Sequence, residues 1–165
     1  MKLVIVTVLI SFLFDSLISN IIPLNSILLP LCSLISLIII YPFFHKETNN
    51  YLKWAFGLGL LYDVVYTDTI LLNAMTFLLL AYIIKSIYQY ISNNAINIMI
   101  VSFITIVLYR FTTFLLLITV GYIKDDFNLL VTSIYSSLLL NITYGVILYL
   151  ITNYISVKFK IDKVD

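Results

Sequence analysis

Long apolar stretches separated by short polar breaks run through the whole chain. The stretches cover residues 3–22, 24–44, 51–66, 70–91, 95–123 and 127–155. A helix that crosses a bilayer needs about 20 mainly apolar residues, or fewer where the bilayer thins. Because the breaks are only a few residues long, consecutive helices must lie side by side and antiparallel. The pattern predicts an all-α integral membrane protein, with residues 1–165 forming one compact bundle of about six transmembrane helices.

One of the stretches contains a proline near its middle. Pro30 lies within the second stretch, 24–44. Proline has no backbone N–H and its ring clashes with the preceding turn of a helix. We therefore expect Pro30 to kink or divide the second helix.

Composition supports the membrane assignment and excludes several functions. The chain is 62% hydrophobic and only 10% charged, whereas soluble domains are typically about 25% charged. Its net charge of +1 gives no reason to expect nucleic acid as a partner. The single cysteine and single histidine cannot form a disulfide or a metal cluster by themselves. No nucleophile elbow, metal-ligand spacing or phosphate loop is present, so we expect neither an enzyme nor a bound cofactor.

The positions of the lysines predict the orientation in the membrane. If the helices alternate in direction, one side of the bilayer receives seven lysines, at positions 2, 46, 53, 85, 158, 160 and 163. The other side receives Lys124, which is followed by Asp125 and Asp126. Because positive residues accumulate in cytoplasmic loops, we expect an inner-membrane protein with both termini in the cytoplasm.

Three charged residues interrupt the apolar stretches: Asp15, Asp63 and Arg110. A charge at the centre of a transmembrane helix costs about 2.5–3.5 kcal/mol on insertion scales, so each should face protein or water. The two aspartates lie about 18 Å and the arginine about 22 Å from the cytoplasmic start of their helices, at 1.5 Å per residue. They are therefore predicted to form a cluster, either as a structural salt bridge, which we favour, or as an ion pathway. Arg110→Leu and Asp63→Asn are expected to impair folding or partner assembly.

The segment around Asp63 is also the most unusual in composition. Gly57 and Gly59 are two of only four glycines in the chain. Because small residues let helices approach closely in lipid, the third and fourth helices are predicted to form a hairpin with a close glycine contact. The candidate packing or partner-binding residues of this hairpin are Gly57, Gly59, Leu60, Tyr62 and Asp63.

The run from Gly57 to Thr67 resembles the central motif of the MreD family of rod-shape-determining proteins. That family carries a pattern close to G-x-x-x-G-[FL]-L-x-D near the end of its third helix. The chain matches it over residues 59–63, although Gly57 precedes Gly59 by two residues instead of four. Where family members often have glycine after the turn, the chain has Leu71. Weaker similarity covers Asp15 and residues 138–141.

The resemblance implies a non-enzymatic scaffold in bacterial cell-wall elongation. MreD-like proteins act with a bitopic MreC-like partner and with RodA and a class B penicillin-binding protein, and indirectly with MreB, in contact with membrane lipids. The fold is expected to be similar to that of the substrate-binding subunits of energy-coupling-factor transporters. An alternative is therefore a membrane subunit that binds a vitamin. The partner is expected to bind either the glycine hairpin, so that Gly59→Leu weakens its recovery, or the fifth helix near Tyr109, Phe111 and Phe114.

Overall fold

The computed structural model describes residues 2–21, 30–44, 47–67, 71–121 and 127–163. Over these residues the chain is helical, with no strand. The helices are α1 (Lys2–Ile21), α2 (Cys32–Ile40), α3 (Thr48–Tyr66), α4 (Leu72–Ile87), α5 (Ala95–Thr119) and α6 (Phe127–Lys158), and the 3-10 helix Tyr41–Phe44 directly follows α2.

Helix α2 lies at the centre of the bundle. All nine of its residues are buried, and it packs against α1, α4, α5 and α6. Its sequence, Cys-Ser-Leu-Ile-Ser-Leu-Ile-Ile-Ile, has no charged face, and a helix that is apolar on all sides is stable when protein surrounds it. Helices α1, α4, α5 and α6 therefore surround α2.

The outer helices pack mainly as the hairpins α3–α4 and α5–α6. Two contacts show that α5 and α6 are antiparallel. Arg110 Nε donates a hydrogen bond to Ser137 Oγ at 2.8 Å. Ser102, eight residues before Arg110 in α5, lies beside Gly145, eight residues after Ser137 in α6.

The outer surface of the bundle is apolar, as a lipid-facing surface must be. Val64 is 82% exposed and Leu139 is 72% exposed. Three helical segments are long and apolar enough to cross a bilayer, and two further apolar ones are shorter; in that order they are Lys2–Ser19, Ala95–Thr119, Phe127–Lys158, Cys32–Phe44 and Leu72–Ile87. The fold is that of a helical membrane protein.

Several helix ends differ from the sequence-based bounds. Pro30 and Leu31 are not helical, and α2 begins only at Cys32, next to a proline that disfavours a continuous helix. Helix α5 ends at Thr119 rather than residue 123, since Gly121 adopts a left-handed conformation with φ of 78°, a common way to end a helix. Helix α4 ends at Ile87, before the predicted residue 91.

Candidate functional site

Asp63 of α3 caps the first turn of α4. Its side chain is only 4% exposed. Its Oδ1 accepts hydrogen bonds from the backbone N–H and from Nδ2 of Asn73, both at 3.0 Å, and its Oδ2 accepts one from the backbone N–H of Ala74 at 3.0 Å. The first amides of a helix have no partner within the helix and form the positive end of its dipole. The carboxylate satisfies these amides and thereby joins α3 to the start of α4.

The Asp63 network extends to a third helix. Asn73 Oδ1 accepts a hydrogen bond from the hydroxyl of Tyr109 in α5 at 2.8 Å. At the end of α3, Thr67 Oγ1 donates to Asp63 Oδ1 at 3.3 Å. Asn73 and Tyr109 are both buried, and a satisfied buried network holds its members in one arrangement. The network therefore fixes α3, α4 and α5 relative to one another.

Gly59 makes this geometry possible. A Cβ atom at position 59 would lie 2.6 Å from Cα of Ala74 and 2.6 Å from the carbonyl oxygen of Asn73. Residues four apart lie on one face of a helix, so Gly59 and Asp63 face the same turn of α4. The glycine admits the backbone of α4, and the aspartate bonds to it. The predicted close glycine contact is thus located at Gly59.

Leu71 stands at the beginning of α4 in a left-handed conformation, with φ of 67°. This conformation is unfavourable for a residue with a Cβ and is routine for glycine. The position is the one at which the resembled family often has glycine. The turn is therefore built in this chain with a strained leucine.

Asp15 caps the start of α2, as Asp63 caps the start of α4. Its Oδ1 accepts from the backbone N–H of Cys32 at 2.6 Å, and its Oδ2 accepts from that of Ser33 at 2.7 Å. Asn141 of α6 adds a further cap, since its Oδ1 accepts from the backbone N–H of Leu31 at 2.6 Å. Asp15 is 1% exposed and Asn141 is fully buried. Helices α1, α2 and α6 therefore meet at the start of the central helix.

Sequence reasoning missed both capping roles, although a signal was present. The N-cap positions of α2 and α4 are Leu31 and Leu71, and neither supplies a side-chain cap. Leucine is a poor N-cap residue compared with Ser, Thr, Asp or Asn. A helix that begins at leucine inside a membrane needs a cap from elsewhere in the chain. In both hairpins an aspartate of the preceding helix provides it.

Arg110 is half-buried. Within the described part of the chain, it contacts a hydroxyl group and an aromatic ring. Its Nε donates to Ser137 Oγ at 2.8 Å, and its guanidinium carbon lies 5.6 Å from the centre of the Tyr109 ring. The salt bridge among Asp15, Asp63 and Arg110 stays a prediction.

The other predicted hairpin residues differ in their surroundings. Gly57 faces open space, with no atom within 4 Å of a Cβ built on it. Leu60 is half-buried. The Tyr62 ring packs against the rings of Tyr66 and Phe77, with centroid separations of 4.8 and 5.5 Å. Of the two glycines, only Gly59 is used in packing within the chain.

Among the described residues, no three His, Cys, Asp or Glu side chains come together as a metal site would require. The single histidine, His45, lies outside the described residues, as do Lys46 and the turn at residues 124–126. The polar groups described above bond to helix ends and to one another. Their arrangement can fix helix packing inside a membrane.

These features define a helical membrane protein whose buried carboxylates serve its architecture. The model of the family of rod shape-determining protein MreD matches residues 1–156, nearly the whole chain. The chain belongs to this family, which confirms the resemblance seen in the hairpin. It is accordingly an inner-membrane protein with a role in determining rod shape, within the MreBCD shape system. No curated protein and no solved structure is similar enough to count as a match.

Proposed function

We propose that the protein is a non-enzymatic scaffold of the cell-wall elongation machinery. It crosses the inner membrane six times, with both termini in the cytoplasm, and it binds an MreC-like bitopic partner and, with it, RodA and a class B penicillin-binding protein. Membership of the shape-determining family supports the role, and the lysine distribution supports the orientation.

The observation that carries the proposal is the Asp63 network. Four hydrogen bonds to buried Asp63, from Asn73, Ala74 and Thr67, brace the α3–α4 hairpin from within. A surface that binds a partner gains affinity when it is already ordered, because binding then costs less conformational freedom. The braced hairpin is therefore suited to present a fixed surface to another membrane protein.

The lipid-facing side of this hairpin has a groove that fits such a role. Its volume is about 400 Å³, and Leu52 of α3 and Met75, Leu79 and Tyr82 of α4 contribute to its lining. The three α4 side chains are 59%, 49% and 61% exposed, in that order. Their spacing of four and three residues places them in one row along the helix. Because Gly59 is enclosed within the hairpin, we place the partner's transmembrane helix on this outer row.

Paired alanine variants test the partner-binding face. Met75→Ala with Leu79→Ala removes two side chains from the row on α4. The control is Phe103→Ala with Phe111→Ala, which removes two side chains of similar exposure, 48% and 45%, from α5. We expect recovery of the MreC-like partner from detergent to fall about tenfold for the α4 pair, which corresponds to about 1.4 kcal/mol, and to stay unchanged for the α5 pair.

The reverse result would place the partner on α5, the second surface considered from the sequence. Normal recovery with both pairs would contradict a scaffold that binds through these lipid-facing helices. A map of tag accessibility at the two termini tests the orientation separately, and termini on opposite sides of the membrane would refute six spans.

A further inference from the structure

A groove lies on the lipid-facing side of the bundle between α1 and α3. Near the end of α3 these two helices are joined, because the Tyr66 hydroxyl donates to the carbonyl oxygen of Phe12 at 2.6 Å and the two rings pack at 4.9 Å. Toward the start of α3 the helices leave a cavity of about 300 Å³. Its lining is Val8 of α1 and Lys53, Trp54, Gly57, Leu58 and Leu61 of α3. We call this cavity the α1–α3 groove.

Gly57 keeps the α1–α3 groove open. The other glycines within helices have packing partners in the chain: a Cβ at Gly59 would meet Ala74 at 2.6 Å, and one at Gly145 would meet Ile35 at 3.1 Å. A Cβ at Gly57 would meet nothing within 4 Å. Glycine weakens a helix relative to alanine, and at position 57 no contact with the described part of the chain offsets this cost. The open face leaves room for an occupant from outside the chain.

The dimensions of the groove match a single acyl chain. From Lys53 to Leu61 the groove extends about 12 Å along α3, at 1.5 Å per residue. One leaflet of the hydrocarbon core is about 15 Å deep. An apolar groove of this length matches most of one acyl chain that extends from the headgroup level into the leaflet.

Charge is concentrated at one end of the groove. Lys53 lines the groove and lies five residues before Leu58 in α3, about 8 Å along the helix. Its side chain is exposed. Trp54, beside Lys53, is half-buried, and tryptophan favours the level of the lipid headgroups. An apolar groove that ends at an ammonium group and an indole is complementary to an anionic lipid.

We propose that the α1–α3 groove binds one anionic phospholipid, with an acyl chain lying along Gly57 and the phosphate at Lys53. The site does not depend on the proposed scaffold role, but its assignment to the cytoplasmic leaflet rests on the proposed orientation, with the amino terminus in the cytoplasm.

Lipid retention by the purified full chain tests the site. Native mass spectrometry compares bound phosphatidylglycerol with phosphatidylcholine of the same acyl chains. For the unchanged chain we expect phosphatidylglycerol to be retained in preference. Gly57→Leu fills the groove and should reduce retention of both lipids about tenfold. Lys53→Gln should reduce phosphatidylglycerol alone about fivefold, whereas the control Lys85→Gln, a lysine near the end of α4, should change neither.

Three outcomes would overturn the proposal. The first is equal retention of the two lipids by the unchanged chain. The second is normal retention of phosphatidylglycerol in both groove variants, with folding checked by circular dichroism. The third is normal lipid retention in Gly57→Leu together with loss of the MreC-like partner, which would assign the groove to a helix. If Gly57→Leu fails to fold, Lys53→Gln against Lys85→Gln decides alone.

Discussion

Replacing Gly59 by alanine adds one methyl group at the closest approach of α3 and α4. The new Cβ would lie 2.6 Å from Cα of Ala74, whereas carbon atoms pack at about 3.5–4.0 Å. The neighbours are backbone atoms, so no side-chain rotation can relieve the overlap and α4 must move by about 1 Å or more. The same movement lengthens the 3.0 Å hydrogen bonds that the backbone N–H groups of Asn73 and Ala74 donate to Asp63 beyond bonding distance.

The two effects set the expected size of the change. Overpacking of a core costs about 1–3 kcal/mol, and the loss of a hydrogen bond to a charged group costs about 1.5–3 kcal/mol. We expect Gly59→Ala to lower the free energy of unfolding by about 3 kcal/mol or more on these values. The matched control is Gly57→Ala. It meets no atom within 4 Å and should stabilise the helix by about 0.5–1 kcal/mol.

The assay is unfolding of the detergent-purified protein in a denaturing detergent. The single tryptophan, Trp54 in α3, reports the transition by its fluorescence. If Gly59→Ala and Gly57→Ala shift the transition equally, the close approach of α3 and α4 at Gly59 is not what stabilises the hairpin. Equal effects would also remove the structural reason for the spacing between Gly59 and Asp63.

Three further substitutions test the same hairpin by the same unfolding assay. Leu71→Gly should stabilise the protein by about 1 kcal/mol, because glycine adopts the left-handed conformation without the steric cost that leucine bears; a loss of stability would contradict the turn geometry. Asp63→Asn should destabilise it by about 2–3 kcal/mol, since either orientation of the new amide sets its NH₂ group against a backbone donor; wild-type stability would refute the capping role. Tyr109→Phe should cost about 1–2 kcal/mol by leaving the buried Asn73 Oδ1 without its donor, and no loss would exclude Tyr109 from the network.

The glycine and aspartate of the family motif have a joint physical explanation in this hairpin. Gly59 admits the first turn of α4, and Asp63, one helical turn later, satisfies the amides of that turn. Neither residue is sufficient alone, since the aspartate reaches those amides only if the backbones approach closely. The glycine and the aspartate together thus allow α4 to begin within the membrane in close contact with α3.

The amino-acid sequence by itself determined the class of protein, the order of the helices and the location of the hairpin. These properties depend on local composition, because apolar length, lysine position and glycine content can be read along the chain without knowing which segments touch. The resemblance over residues 59–63 likewise required only adjacent residues, and the family match confirms it.

Only the tertiary structure decided which residue each buried charge meets. The sequence predicts that Asp15 and Asp63 face Arg110, since opposite charges at similar depth attract. In the structure both carboxylates cap helices that begin at a leucine, a role that the sequence did not predict. The N-terminus of a helix carries a partial positive charge. The position of this charge depends on where the chain turns, which the sequence does not show directly. The different surroundings of Gly57 and Gly59 were likewise decided by the tertiary structure, because they depend on what packs against each face of α3.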